Sequence, residues 1–198
     1  MKADGVSEEA DRRTTVLRRL ARWYRLFCYT FAVIVIAGVP IAWAAGVRVV
    51  TTPSVPKGLW WVHRGSVERY GFVNACLPAA LAKYGRARGY LEDGVCPGHT
   101  AAVMKMVIAV PGDRVSVGKG GISVNGRLLA DSLPSAKDHW GRPLRWDVPI
   151  GDSIVAENEY WLLGLNLRSW DSRYYGPISS NGFLGVGTPM FIEVTPRV

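Results

Sequence analysis

The feature that most constrains this 198-residue chain is a stretch of twenty-two residues without a charge, residues 26–47. As a helix with ~1.5 Å rise per residue it would be ~33 Å long, enough to cross a bilayer with slight tilt. The sequence therefore predicts one transmembrane helix over residues 26–47. It also predicts a basic arm over residues 1–25 and a single folded domain over residues 48–198.

Basic residues are distributed unequally about this stretch. Six arginines precede it, whereas Arg48, Lys57 and Arg64 follow in a similar span. The positive-inside bias then predicts a cytoplasmic arm and an exported domain, as in a bacterial inner-membrane protein whose domain is periplasmic. A cleavable signal peptide is the alternative, because Ala42-Trp43-Ala44 resembles a cleavage site. The stretch is longer than a usual signal-peptide core, which favours the retained helix.

Charge and cysteine content limit the partners. The net charge is +8, but the basic residues lie beside the apolar stretch or among acidic neighbours, so membrane lipid is the expected counterpart and nucleic acid is not. No Cys/His spacing has the form of a structural zinc site, and no metal or other cofactor is expected. Cys76 and Cys96 bracket an insertion in the exported part, where a disulfide is expected, with two free thiols as the alternative.

After residue 47 the sequence is typical of a mostly β protein, with short segments of branched or aromatic residues between Gly and Pro. Asn125-Gly126 is a strong signal for a two-residue hairpin turn. One helix is expected around residues 78–84, inside the insertion. The predicted strands cover residues 59–62, 103–110, 122–124, 153–155, 160–165 and 190–194.

Ser54 and Lys105 are candidates for a nucleophile and its base. A serine hydroxyl is a poor nucleophile until a base takes its proton. Lys105 lies inside an otherwise apolar predicted strand, where desolvation would favour the neutral amine. From an ordinary pKa of ~10.4, a useful base at neutral pH needs a pKa lowered by ~3 units. The alternative is a lysine on a solvated strand face.

Two other bases are possible from the sequence. A histidine could serve, since triads assemble in any chain order, but His63, His99 and His139 lie in no motif. Ser54 and Lys57 also spell Ser-x-x-Lys, the signature of penicillin-binding proteins and serine β-lactamases. That motif requires a helix, and the flanking prolines predict strand and turn instead.

Three segments, in order and spacing, resemble the Ser/Lys type I signal peptidase family. They are residues 52–60 around Ser54, Lys105 six residues before the proline of Val110-Pro111-Gly112-Asp113, and residues 164–177. The first segment is similar to the Ser-x-Pro-x-Gly box of the conjugative-transfer branch, the TraF-type pilin maturation peptidases. Met106, where the housekeeping branch commonly has a second basic residue, also favours the conjugative branch.

The resemblance implies a role for each site residue. Ser54 would be the nucleophile, Lys105 the general base and Asp171 a catalytic support residue paired with Arg173. Ser169 would orient the lysine amine, and the Thr52 hydroxyl with the Ser54 backbone N–H would form the oxyanion hole. Ordinary turn contacts are the alternative for Asp171, Ser169 and Arg173, and an ordinary β-branched strand residue is the alternative for Thr52.

The fold that the resemblance implies is an antiparallel β architecture, and the implied activity is maturation of an exported precursor with small residues at the cleavage site. In the conjugative branch this precursor is a pilin subunit, which is cleaved and in some cases closed head to tail. One alternative is general removal of leader peptides. Another is a non-catalytic assembly module of a type IV secretion or conjugation apparatus.

Overall fold

The structure, a computed structural model, describes residues 4–193, with side chains from residue 17 onwards. It divides into two compact units whose boundary in the sequence falls between Ala45 and Gly46. The predicted boundaries of the arm at residues 1–3 and of the last strand at residue 194 lie outside the described residues.

The first unit is one long helix, α1, which spans Asp4–Ala44. Its segment Leu17–Ala44 has a mean hydropathy of 2.1 in its most apolar window and is long enough to cross a membrane, a test that a signal sequence also meets. The helix begins within the predicted arm and ends before the predicted boundary at Val47. Gly46 follows with φ of +95°, and a Cβ there would lie 2.1 Å from the Val62 carbonyl oxygen, so the chain leaves helical geometry at a glycine.

Up to residue 193, the second unit is built from twelve strands with two short helices between them. In chain order the strands are β1 (Val47–Val50), β2 (Gly58–His63), β3 (Phe72–Ala75), β4 (Asp93–Cys96), β5 (Val103–Ala109), β6 (Arg114–Gly118), β7 (Gly121–Val124), β8 (Arg127–Leu128), β9 (Gly151–Ile154), β10 (Glu159–Leu163), β11 (Ile178–Ser179) and β12 (Phe183–Ile192). The helices are α2 (Ala79–Ala87) and α3 (Ser172–Tyr175), and a 3-10 turn spans Ser180–Gly182.

Eleven of these strands form two antiparallel sheets. The larger has the order β1-β2-β12-β3-β5-β10-β11, and the smaller has the order β8-β7-β6-β9. The prediction of a mostly β, antiparallel fold is therefore confirmed. Each of the six predicted strands overlaps an observed one. The predicted strand over residues 160–165 ends early, at Leu163, and β12 begins well before the predicted residue 190.

Two local predictions are also confirmed. Asn125 and Gly126 join β7 to β8 with φ values of 51° and 82°, which are the left-handed conformations that a type I′ hairpin turn requires. Cys76 and Cys96 form a disulfide with a Cα–Cα distance of 5.4 Å. It closes the insertion, defined here as residues 77–95, which contains α2 and connects β3 with β5.

The core lies between the two sheets and along the opposite face of the larger sheet. Side chains of β5 and β10, among them Ile108 and Trp161, pack against the smaller sheet through Val115 and Ile122. The opposite face of β5 and β10 buries Val107 and Leu162 together with residues of β3. Strand β5 thus contributes to the core on both faces, which explains its nearly continuous apolar sequence.

Asp113 holds the turn at which the chain passes from the larger sheet to the smaller. Its carboxylate accepts hydrogen bonds from the Val110 backbone N–H at 2.9 Å, the Asn125 side-chain amide at 2.9 Å and the Arg69 guanidinium. Burial raises the pKa of this carboxyl group, but these hydrogen bonds outweigh burial and bring its pKa below the ordinary value. The Pro-Gly-Asp segment therefore has a structural role here.

We expect Asp113→Asn to lower the free energy of unfolding at pH 7 by about 2 kcal/mol, since the partly exposed Arg69 guanidinium loses the charge of its buried partner. Because the folded-state pKa of Asp113 lies below its unfolded value, this contribution is present above pH ~4 and is lost as the pH falls through the folded-state pKa. Denaturant titration of the full-length protein in detergent at pH 7 and pH 3 measures both effects.

Asp152→Asn is the matched control, because Asp152 pairs with Arg114 at 3.3 Å on the exposed surface. It should change the free energy of unfolding by less than about 1 kcal/mol. Equal losses from the two substitutions would contradict the role assigned to Asp113.

Candidate active site around Ser54 and Lys105

Ser54 lies in the turn between β1 and β2, and its neighbours fix that turn in two ways. Val55 is 2% exposed and packs in a cluster with Trp60 and Met104. The Trp60 indole N–H donates to the Pro56 carbonyl at 3.0 Å, and the Leu165 backbone N–H donates to the Ser54 carbonyl at 2.7 Å. The turn that carries the half-buried Ser54 side chain is therefore held by the packing of Val55 and by hydrogen bonds to backbone carbonyls.

Lys105 lies on β5, where it is paired in register with Val73 of β3. Alternation along the strand puts its side chain on the same face as Val103 and Val107, and it is only 4% exposed. Its Nζ donates to Ser54 Oγ at 2.7 Å and to Ser169 Oγ at 2.5 Å. The two serine oxygens are 3.3 Å apart, so the amine lies against both hydroxyl groups.

Burial lowers the pKa of the Lys105 amine to about 8, from an ordinary value of 10.5. Burial is the largest cause, because the protein interior solvates the ammonium form poorly. The negative charge of Asp171 opposes the shift, and the positive charge of Arg173 adds to it. With a pKa of about 8, roughly a tenth of the amine is neutral at pH 7.

The third part of the site is the loop over residues 164–171, which follows β10. Leu163 pairs with Met106 of β5, so the chain leaves the sheet beside Lys105. A Cβ at Gly164 would lie 2.1 Å from Ser169 Oγ, and glycine therefore leaves the space that Ser169 occupies next to the amine. The Ser169 backbone N–H donates to the Asn166 carbonyl at 2.9 Å, which tightens the loop.

Asp171 and Arg173 form a fully buried ion pair behind this loop. The Asp171 carboxylate accepts from Arg173 Nε at 2.8 Å, from its second nitrogen at 2.7 Å and from the Gly164 backbone N–H at 2.8 Å. Arg173 also donates to the carbonyls of Asn166 at 2.9 Å, Asp131 at 2.9 Å and Ser169 at 3.2 Å. Among the described residues, this pair connects both ends of the 164–171 loop.

The other predicted site residue, Thr52, is exposed and lies in the same turn as Ser54. Within the part of the chain that the structure describes, the side-chain hydrogen-bond partners of Ser54 Oγ are Lys105 and Ser169. The structure thus brings Ser54, Lys105 and Ser169 into direct contact, with Asp171 and Arg173 against Ser169 and Gly164.

Two of the histidines considered as alternative bases make contacts with residues other than Ser54. His63 Nε2 is 3.0 Å from Thr188 Oγ1, and its Nδ1 is 2.9 Å from the Arg64 carbonyl. His139 packs on Trp140. Lys57 is exposed, and the segment that carries it and Ser54 is a turn, so the helix that Ser-x-x-Lys requires is absent from residues 51–57. No group of three His, Cys, Asp or Glu residues in the described chain could hold a metal ion.

Sequence reasoning missed Gly164 and the Leu165 backbone N–H. Leu165 was predicted to continue a strand, whereas it lies in the loop and holds the Ser54 backbone. The glycine before Leu165 was the available signal, because a glycine at the end of an apolar strand often marks a close backbone approach.

A serine hydroxyl in contact with a buried amine of lowered pKa can transfer its proton to that amine, which is the chemistry of nucleophilic hydrolases. The family model described as signal peptidase, peptidase S26, matches residues 20–191. The chain belongs to this signal peptidase family.

Two named relatives are similar over most of the chain. A probable conjugal transfer protein TraF of Sinorhizobium fredii NGR234 is 36% identical over 177 residues, 87% of this chain and 91% of the relative. A conjugal transfer protein TraF of Agrobacterium fabrum C58 is 38% identical over 149 residues, 74% of this chain and 82% of the relative. A crystal structure of a signal peptidase I from Enterococcus faecalis V583 has 21% identity and a TM-score of 0.36, covering 63% of this chain and 98% of that one.

We expect Lys105→Met to raise the free energy of unfolding by about 2 kcal/mol at pH 7, because methionine removes a buried ammonium group. The folded-state pKa of about 8 lies below the unfolded value of 10.5. The folded state therefore binds fewer protons between these values, and wild-type stability rises with pH there. The advantage of the variant should shrink as the pH approaches 10.

Denaturant titrations of the full-length protein at pH 7 and pH 10 measure this effect. Lys83→Met is the matched control, because Lys83 is exposed on α2 and should give no pH-dependent gain. A variant at Lys105 that is less stable than wild type at pH 7 would contradict a lowered pKa for this amine.

Proposed function

We propose that this protein is a membrane-anchored serine endopeptidase in which Ser54 is the nucleophile and Lys105 the general base. The observation that carries the proposal is the 2.7 Å contact between Ser54 Oγ and the buried Lys105 Nζ. Membership of the signal peptidase family supports a hydrolase that acts on a peptide substrate. The second contact of the amine, to Ser169, supports a fixed orientation of its lone pair.

In the proposed first step, the neutral Lys105 amine takes the Ser54 hydroxyl proton while Ser54 Oγ attacks the substrate carbonyl. The oxyanion that forms accepts hydrogen bonds from the Ser54 backbone N–H and the Thr52 hydroxyl. The lysine ammonium then donates the proton to the leaving amine as the peptide bond breaks. The acyl group is left on Ser54, and Lys105 is neutral again.

In the second step, Lys105 takes a proton from the nucleophile that attacks the acyl-enzyme and returns a proton to Ser54. Water as the nucleophile gives hydrolysis, and an amine of the same precursor gives a ring. Asp171 contributes by holding the 164–171 loop, through Gly164 and Arg173, so that Ser169 remains against the lysine amine.

The proposed substrate is an exported precursor protein with small residues next to the scissile bond, and the proposed setting is conjugation. The names of the two relatives, conjugal transfer protein TraF, support this setting. A pilin-like subunit is the substrate we infer. The apolar segment of α1 supports an inner-membrane anchor, and the arginines that precede it support a cytoplasmic N-terminus and a periplasmic second unit.

We expect Ser54→Ala and Lys105→Ala each to lower kcat for precursor maturation by at least about 1,000-fold, since each removes a group that acts in the transition state. Mass spectrometry of the candidate precursor, incubated with purified full-length protein, separates an uncleaved chain from a trimmed chain and from a ring. Ser66→Ala and Lys83→Ala are the matched controls, because both residues are exposed.

Maturation that survives both substitutions would contradict the Ser/Lys mechanism and favour a non-catalytic assembly role. Efficient cleavage of an unrelated leader peptide by the wild-type protein, with the pilin-like precursor left intact, would favour general leader removal.

The proposed base also predicts a pH dependence. Only the neutral Lys105 amine can take a proton, so kcat/KM should rise with pH and level off above about 8, the pKa of this group. The rise should be about tenfold per pH unit well below the midpoint, as for one ionisation. If the ionisation in the pH profile of kcat/KM disappeared in His63→Gln, a lysine base would be contradicted.

A further inference from the structure

Trp170 lies in the chain between Ser169, which contacts the Lys105 amine, and Asp171, which holds Gly164. Its half-buried indole ring packs among three tyrosine rings, at centroid distances of 5.6 Å to Tyr84, 5.5 Å to Tyr90 and 5.0 Å to Tyr175. Two of these rings belong to the disulfide-closed insertion. Trp170, near the end of the 164–171 loop, therefore contacts a segment that is distant in sequence.

The backbone of α2 approaches this ring closely. A Cβ at Gly85 would lie 2.6 Å from the Trp170 ring and 2.8 Å from Leu91, so the indole occupies space that any other residue at position 85 would need. Glycine inside a helix costs about 1 kcal/mol relative to alanine. Because glycine has no side chain, position 85 leaves space on α2 that the Trp170 ring occupies.

The tyrosine rings are placed for packing. The hydroxyl groups of Tyr84 and Tyr175 are buried and have no hydrogen-bond partner among the described residues. A buried hydroxyl without a partner is unfavourable, so these hydroxyl groups do not explain the position of either ring. The contact with Trp170 is the interaction that both rings share.

The insertion is fixed on its other sides. The Cys76–Cys96 disulfide closes its base, directly after β3 and shortly before β5, the strand that carries Lys105. The Tyr90 hydroxyl donates to Asp138 at 2.7 Å, and Arg142 donates to the Arg88 carbonyl at 2.7 Å. A segment fixed in this way can limit the movement of a ring that packs against it.

We propose that Trp170 is a positioning residue through which the disulfide-closed insertion holds Ser169 and Asp171 in place beside Lys105. The proposal rests on the proposed function for its kinetic consequences, but not for its structural ones. When the Trp170 contact is lost, the 164–171 loop moves away from β5, Ser169 loses its contact with the amine, and water reaches Lys105. The charged groups that act on this amine are those of Asp171 and Arg173, and both belong to the segment that Trp170 holds.

For purified full-length protein, Trp170→Ala should lower kcat by about ten- to a hundredfold with KM changed by less than about threefold, because a misplaced base slows chemistry more than binding. Trp170→Phe should retain most of kcat, because phenylalanine preserves a ring contact. The midpoint of the pH dependence of kcat/KM should move to higher pH in Trp170→Ala.

Gly85→Ala tests the same contact from the insertion side and changes a single methyl group. It should lower kcat in the wild-type background and have little further effect in the Trp170→Ala background, since residues in contact give non-additive changes. Tyr84→Phe is the matched control, because it keeps the ring and removes only the unpartnered hydroxyl; it should leave kcat unchanged. Near-UV circular dichroism shows whether each variant is folded.

Reduction tests the role of the disulfide. Dithiothreitol should lower kcat of the wild-type protein and have little effect on Trp170→Ala, in which the connection is already broken. An equal loss in the two proteins would overturn Trp170 as the connection between the insertion and the site.

A direct measurement on Lys105 separates this inference from the proposed function. In protein labelled with ¹³C at lysine Cε, the Lys105 signal is assigned by its loss in Lys105→Met, and its titration midpoint is compared between wild type and Trp170→Ala. A higher midpoint in Trp170→Ala supports the inference even if the wild-type protein cleaves no precursor, in which case only the proposed function fails. An active wild-type protein, with the midpoint and kcat both unchanged in Trp170→Ala, would overturn the inference alone.

Discussion

The burial of one amine is the constraint on which the site depends. Lys105 would gain hydration if its side chain turned outward, yet it is held in the interior, where its hydrogen-bond partners among the described residues are two serine hydroxyls. The free-energy cost of burying the amine is offset by the apolar packing on both faces of β5. Under the function proposed above, the protein gives up stability for a reactive amine, which is typical of sites that need a perturbed pKa.

Three segments that are distant in sequence meet at this amine, and each is fixed by a different interaction. The Ser54 turn is held by Trp60 and by the backbone of Leu165, whereas Lys105 is fixed by its register with Val73. The 164–171 loop is held by the Asp171–Arg173 pair and by the packing of Trp170 against the disulfide-closed insertion. Leu165 belongs to the 164–171 loop, so a displaced loop would also loosen the Ser54 turn. The register of β5 with β3 does not depend on the loop, so the loop can be disturbed without unfolding the sheets.

Much of the fold and the main site contacts could be predicted from sequence. Strand β5 was predictable because residues 103–110 are apolar apart from Lys105. The hairpin at Asn125 was predictable because Asn-Gly favours left-handed backbone geometry. The end of α1 was not predictable, because Gly46 ends it through a close approach to a distant residue, Val62. Gly164 marked the end of β10, but the sequence did not show that Ser169 occupies the space beside this glycine. The position of Trp170 was equally hidden, since its partners lie in an insertion that sequence spacing does not orient.

The Asp171–Arg173 pair has a consequence for how the chain can vary over evolution. Both side chains are fully buried, and every polar atom of the arginine head group is engaged. Removal of one partner leaves an uncompensated interior charge, whereas an apolar replacement of both can be tolerated. Homologous chains should therefore exchange these two positions together or not at all, and an intermediate that has lost only one of them would be removed by selection.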